Sequence, residues 1–155
     1  MVPGEGNDYS VCTTWGILGE RLYLLDVFRE QLIYPDLRRA VVDLRQEFNP
    51  IMVLVEKAGS GFSLYQDLRR EGADWIFNLH PKGDKVSRLT HQSAKIEAGH
   101  VYLPKKAQWL VAFESEVAAF PNGKHDDQVD SLSQFLRALD LRPYPIRSLS
   151  WYAGK

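Results

Sequence analysis

Ile51-Met52-Val53-Leu54-Val55 is an unbroken apolar run, and no other feature limits the possible folds of the chain as strongly. A strand with one solvated face alternates apolar and polar residues. A run without alternation belongs in the middle of an α/β sheet, covered on both faces. The run closes on Glu56, and Lys57-Ala58-Gly59-Ser60-Gly61 follows as a turn. The flanking segments supply the covers. Upstream, Pro35 and Asp36 open a helix whose Leu37, Val41, Leu44 and Phe48 recur at helical spacing, and Asn49-Pro50 ends it. Downstream, Leu64 and Leu68 mark a second helix stopped near Gly72, and Trp75-Ile76-Phe77 reads as another strand. Strands alternating with helices predict parallel pairing through right-handed crossovers.

Ahead of this unit, Tyr9 to Ile17 and Leu22 to Phe28 are strand-like and are joined through Leu18-Gly19-Glu20-Arg21, which predicts an antiparallel hairpin. After it, Asp84 is placed to N-cap a helix reaching about Ala98, with Gly99 as its stop, and Val101 to Pro104 is short and extended. Two further helices are predicted, about Ala107 to Ala118 and Asp127 to Leu141. A hairpin joined to βαβ units is an α/β fold with a mixed sheet. Residues 1–141 read as one domain and 142–155, with two prolines, as a C-terminal tail.

With 155 residues, 45% of them hydrophobic, the chain can bury one core. Its 19 Lys+Arg against 20 Asp+Glu give a net charge of −1, so any contact with nucleic acid rests on local patches rather than a global field. Cys12 is the one cysteine, which excludes an intramolecular disulfide and a Cys-rich zinc site and fits a reducing compartment. The N-terminal residues lack the pattern of a signal peptide, and no apolar run approaches the roughly 18 residues that span a bilayer, so a soluble cytoplasmic protein without membrane contacts is expected. A Gly-x-x-x-x-Gly-Lys-Ser/Thr phosphate loop is absent, so this polypeptide is not expected to run a nucleotide-driven motor alone.

Two places carry potential chemistry. Glu56 ends the most apolar strand, where open α/β sheets form their ligand crevice, although a strand also commonly finishes in a solvated charge. His125-Asp126-Asp127-Gln128-Val129-Asp130 precedes a helix with an apolar stripe at Val129, Leu132, Leu136 and Leu139. Asp127 and Asp130 share a helix surface, and Asp126 can pair with Asp130 at i,i+4 instead. The helix dipole stabilises an acid in the first turn by ~0.3–1 kcal/mol, which accounts for one of them. Three acids in five residues repel each other, and a divalent cation removes that repulsion. If Glu56 and this helix start converge, their oxygens suit Mg²⁺ or Mn²⁺, and two ions some ~3.5–4 Å apart would serve phosphodiester cleavage. His125 is read either as a partner for water or phosphate or as a surface or capping residue.

These residues resemble the C-terminal nuclease domain of phage terminase large subunits. The resemblance runs from about Gly4 to Leu141. It rests on an ordered set of blocks: Gly-Asn-Asp-Tyr-Ser-Val (6 to 11), Tyr-Leu-Leu-Asp-Val-Phe-Arg (23 to 29), Tyr-Pro-Asp-Leu (34 to 37) and Val-Leu-Val-Glu-Lys-Ala-Gly-Ser-Gly (53 to 61). Lys-Gly-Asp-Lys-Val-Ser-Arg (82 to 88), Ala-Gly-His-Val-Tyr-Leu-Pro (98 to 104) and Phe-Pro-Asn-Gly-Lys-His-Asp-Asp-Gln-Val-Asp (120 to 130) complete it. It implies a ribonuclease H-like fold in which acids from the first strand, the fourth strand and the last helix bind two divalent ions and cut concatemeric viral DNA. By the same resemblance Glu56 matches the fourth-strand acid, and Asp127 and Asp130 match the last-helix pair, with Asp126 in the same motif. Lys82, Lys85 and Arg88 match a basic stretch that meets DNA phosphates, and double-stranded DNA, the small terminase subunit and the portal are the implied partners.

Only Met1, Val2 and Pro3 precede Gly4, so the family's first-strand aspartate has no counterpart in this sequence, and Asp8, in a turn, is a poor substitute. That strand lies between the second and fourth in the family's sheet. Its place is therefore expected to show a distorted sheet, pairing by a second copy through exposed strand edges, or recruitment of the N-terminal residues. Impaired cleavage is expected. The alternatives are a non-catalytic prophage remnant or a module docking on DNA, portal or small subunit, and a junction resolvase or transposase-type nuclease on the same scaffold.

Overall fold

The computed structural model of the chain describes residues 8–141 and the backbone of 150–154. Along the chain run β1 (Ser10–Leu18), β2 (Arg21–Glu30), α1 (Tyr34–Phe48), β3 (Met52–Glu56), α2 (Gly59–Arg70) and β4 (Ile76–Leu79). Then come α3 (Lys85–Glu97), β5 (Val101–Tyr102), α4 (Leu110–Ala119), α5 (Asp127–Leu141) and β6 (Ser150–Gly154). The strands form one sheet in the order β4-β3-β6-β1-β2-β5.

The hairpin and the parallel β3–β4 pair form as the sequence predicts, the hairpin with a bulge between Thr14 and Trp15. The apolar run of β3 divides by strand periodicity. Met52 and Leu54 join a core with Trp15, Leu132, Phe135 and Leu136, while Val53 and Val55 join a second core with Leu37, Val41, Leu64 and Leu68. Both faces are covered, by α4 and α5 on one side and α1 and α2 on the other. The short extended segment departs from the simple alternation: β5 does not extend the β4 edge but pairs in parallel with β2 at the other edge, Leu22 opposite Val101. Helix α3 packs against α5 and carries the chain across that face of the sheet.

The place between β1 and β3 is filled by β6. It runs parallel to β3, with Met52 opposite Tyr152 and Leu54 opposite Gly154, and antiparallel to β1, with Ile17 opposite Ser150 and Thr13 opposite Gly154. Among the described residues the strand in that place comes from the segment read as a tail. The reason is hydrogen bonding, since two neighbouring strand edges in the middle of a sheet would otherwise leave backbone donors and acceptors without partners. Residues 1–7, 142–149 and 155 lie outside the described residues. No helix among the described residues is long and apolar enough to cross a membrane.

A small set of contacts fixes α5 on the sheet. Trp15 stacks on Phe135 with ring centroids 4.4 Å apart and planes 9° from parallel. Thr13 Oγ1 lies 2.8 Å from Ser131 Oγ and accepts a hydrogen bond of 2.8 Å from Trp15 Nε1. All four residues are buried. The Thr13–Ser131 pair sets one register for the helix, because a slip would part the two buried hydroxyls.

Candidate active site

Because β1 is antiparallel to β6 and β6 parallel to β3, the start of β1 and the end of β3 share one end of the sheet. The Thr13–Ser131 contact brings the first turn of α5 to that same end. Glu56, Asp127 and Asp130 line one pocket together with Tyr9. A second pocket shares Glu56 and Asp130 and extends toward His80, Pro81 and Arg137. The convergence expected from the sequence is thus present in the geometry, and Asp126 adjoins it.

Two local devices hold this arrangement. Gly61 sits so close to the end of β3 that an added Cβ would come within 2.6 Å of the Glu56 carbonyl oxygen. Gly59 takes a φ of +51°, a left-handed conformation that suits glycine. The Gly-Ser-Gly turn therefore lets α2 start directly against Glu56. The second device is Glu116 on α4, buried at 8% exposure, whose carboxylate accepts the backbone N–H of Gln128 (2.6 Å) and Val129 (3.1 Å) and the side-chain amide of Gln128 (3.2 Å). Glu116 caps α5, a task that the sequence reading left to the aspartates. Its only sequence signal was weak: it falls three residues after Phe113, on the same buried stripe of α4.

The aspartates are left in excess negative charge. Burial pushes the Asp127 carboxyl above its ordinary value, and the charges of Asp8, Asp126 and Glu116 push in the same direction. Asp8, read from sequence as a turn residue, is thus placed near Asp127; the antiparallel course of β1 brings it there. His125 packs edge-on against the Tyr9 ring at 5.3 Å, and the Arg29 guanidinium lies over that ring at 3.7 Å from its centroid.

Cations from α3 partly balance the site. Lys85 Nζ lies 2.8 Å from Asp126 Oδ1 and 2.9 Å from Asp130 Oδ2. Burial alone would lower the Lys85 pKa, but its bonds to Asp126 and Asp130 raise it well above the ordinary lysine value. Arg88, at 16% side-chain exposure, spans the two halves of the site, 3.4 Å from Asp130 and 3.8 Å from Glu56. Lys82 is exposed and makes no ion pair among the described residues. Of the three basic residues expected at phosphates, two face the carboxylates and one faces solvent.

A mixed sheet flanked by helices, with carboxylates gathered where β3 ends and α5 begins, defines an acidic-site domain of the ribonuclease H-like class. The family model described as the terminase RNaseH-like domain matches residues 3–139, and the chain belongs to that family. No curated protein and no solved structure gives a significant match.

Divalent metal fits the residues in donor type. Carboxylate oxygens are hard ligands, they lie on one pocket, and α5 does not need them for capping. They are not preassembled around an ion: among the described residues no group of three or more His, Cys, Asp or Glu is gathered closely enough to hold one. Lys85 and Arg88 occupy the carboxylates instead.

Proposed function

We propose that the chain is a metal-dependent DNA endonuclease domain of a terminase large subunit, working in the bacterial cytoplasm on double-stranded viral DNA. The observation that carries this reading is the meeting of Glu56 with Asp127 and Asp130 on one pocket, while Glu116 relieves the aspartates of the capping role. Glu56, Asp127 and Asp130 would hold Mg²⁺ or Mn²⁺, with Asp126 as a further oxygen donor. A bound ion pair would supply an activated water and stabilise the leaving oxygen. Lys82, Lys85 and Arg88, on and just before the first turn of α3, would meet phosphates at the rim and orient the duplex. The small terminase subunit and the portal are the proposed protein partners, by family alone.

By the resemblance the family draws its carboxylates from three places, and among the described residues β3 and α5 carry the matched acids. Cleavage by the 155-residue chain is therefore expected to be slow, because a misplaced nucleophile forfeits much of the advantage of orientation. Nicking of supercoiled plasmid with Mn²⁺ tests the reading: slow, metal-dependent nicking that disappears in Glu56→Ala supports it. Nicking unchanged in Glu56→Ala would show that the cutting site lies elsewhere. The second reading, a non-catalytic remnant or docking module, draws on the ion pairs that Lys85 and Arg88 already make with Asp126, Asp130 and Glu56. DNA binding without cutting at any metal concentration would favour it.

A further inference from the structure

We infer that Lys85 is a resident counter-ion of the site: its ammonium holds Asp126 and Asp130 until a divalent cation binds, and it must leave for that cation to enter. This rests on the metal-site reading above and adds a residue that sets metal affinity without being a ligand.

Lys85 is held in place by the helix that carries it. The Asp84 side chain accepts the Ser87 backbone N–H at 2.9 Å and the Ser87 hydroxyl at 2.8 Å, which fixes the first turn of α3. Further along the helix, Lys95 is bonded to Asp140 and to the Leu136 carbonyl, which pins α3 against α5. From this base one ammonium reaches two carboxylates, at 2.8 and 2.9 Å. Arg88, one turn on along the same face, contacts Asp130 and Glu56. A metal ion and an ammonium cannot both sit in contact with the same carboxylate oxygens, since they repel each other and compete for the same lone pairs. The two cations differ in freedom. The Lys85 side chain is 46% exposed and can turn into solvent, while that of Arg88 is 16% exposed and has its Nε buried. Lys85 is the one that yields, and Arg88 stays.

The test is Mn²⁺ binding to the 155-residue chain, followed by the paramagnetic resonance of free Mn²⁺ and by the shift in melting temperature on adding the ion. Lys85→Met, which keeps the apolar stem and removes the charge, is expected to bind Mn²⁺ about fivefold to tenfold more tightly than the wild type. Its melting temperature should also rise more on adding Mn²⁺, because its carboxylates start unbalanced. Lys85→Arg should bind no more tightly than the wild type. If Asp130→Asn abolishes binding while Lys85→Met binds as the wild type does or more weakly, the metal site stands and the counter-ion role is overturned. If neither wild type nor Lys85→Met binds Mn²⁺ at millimolar concentration, the metal-site reading fails and this inference with it. Should Lys85→Met not fold, Asp84→Ala loosens the first turn and leaves the cation present. About a twofold tightening is then expected, and unchanged affinity would overturn the role.

Discussion

Helices α3 and α5 meet at both ends through lysine and aspartate, and the two ends have opposite electrostatic outcomes. Near the C-terminal end of α5 one lysine meets one carboxylate: Lys95 Nζ lies 2.6 Å from Asp140, 2.7 Å from Gln92 Oε1 and 3.0 Å from the Leu136 carbonyl, and Gln92 also donates to Asp140 at 3.0 Å. Burial works against the Asp140 charge, yet Lys95 and Gln92 hold its carboxyl below the usual range. At the N-terminal end Lys85 serves two carboxylates, Arg88 links Asp130 to Glu56, and Asp127 is pushed up by burial and by its acidic neighbours. Matched charge makes a clamp. Unmatched charge leaves capacity for a further cation, and that difference separates the structural end of the helix pair from the end proposed to do chemistry.

The largest expected effect breaks one end and spares the other. Asp130→Asn should lower Mn²⁺-dependent nicking by on the order of a hundredfold or more, while Asp140→Asn leaves it unchanged in the same plasmid assay. Equal losses in the two variants would mean that both ends act through stability alone. A smaller effect acts on Glu56 from behind. Gly61→Ala forces a methyl group against the Glu56 carbonyl and should cost about 1–3 kcal/mol in urea denaturation, with nicking reduced beyond what the lost stability explains.

The smallest effects are opposite in sign and depend on pH. A carboxyl raised in the folded state contributes stability that is present below its unfolded pKa and is lost as pH rises through the folded value. Ionised Asp127 therefore weighs against folding at neutral pH, and Asp127→Asn should be slightly more stable than the wild type without metal, an advantage that fades as pH falls into the acid range where the wild-type carboxyl is protonated. Asp140 runs the other way. Its depressed carboxyl contributes stability above the unfolded value, lost as pH falls through the folded one, so Asp140→Asn should cost less than about 1 kcal/mol at neutral pH and nothing in strong acid. Thermal melts of both variants between pH 3 and 7 check the pair.

Much of this geometry was legible in the residues. The unbroken run of β3 announced a strand covered on both faces, and its alternate residues do enter two different cores. Asp84 caps α3, and α5 spans the predicted Asp127 to Leu141. These follow from local chemistry, meaning periodicity, capping and breakers. What stayed hidden is non-local. That Ser150 to Gly154 enter the sheet between β1 and β3 depends on backbone edges contributed by residues far away along the chain, and nothing in a short segment marks its partner. The roles of Glu116, Lys85 and Asp8 are hidden for the same reason: each touches or faces α5 from another element, and a surface acid or lysine looks alike in sequence whether it meets water or a carboxylate.

Anomalous scattering from crystals soaked in Mn²⁺ bears most directly on the proposed site. The expected result is a peak bridging the carboxylates of Glu56, Asp127 and Asp130, with the Lys85 side chain turned away from Asp130. Peaks only elsewhere on the surface, with Lys85 still on Asp126 and Asp130 under metal concentrations that support nicking, would contradict the assignment of this site as the metal centre.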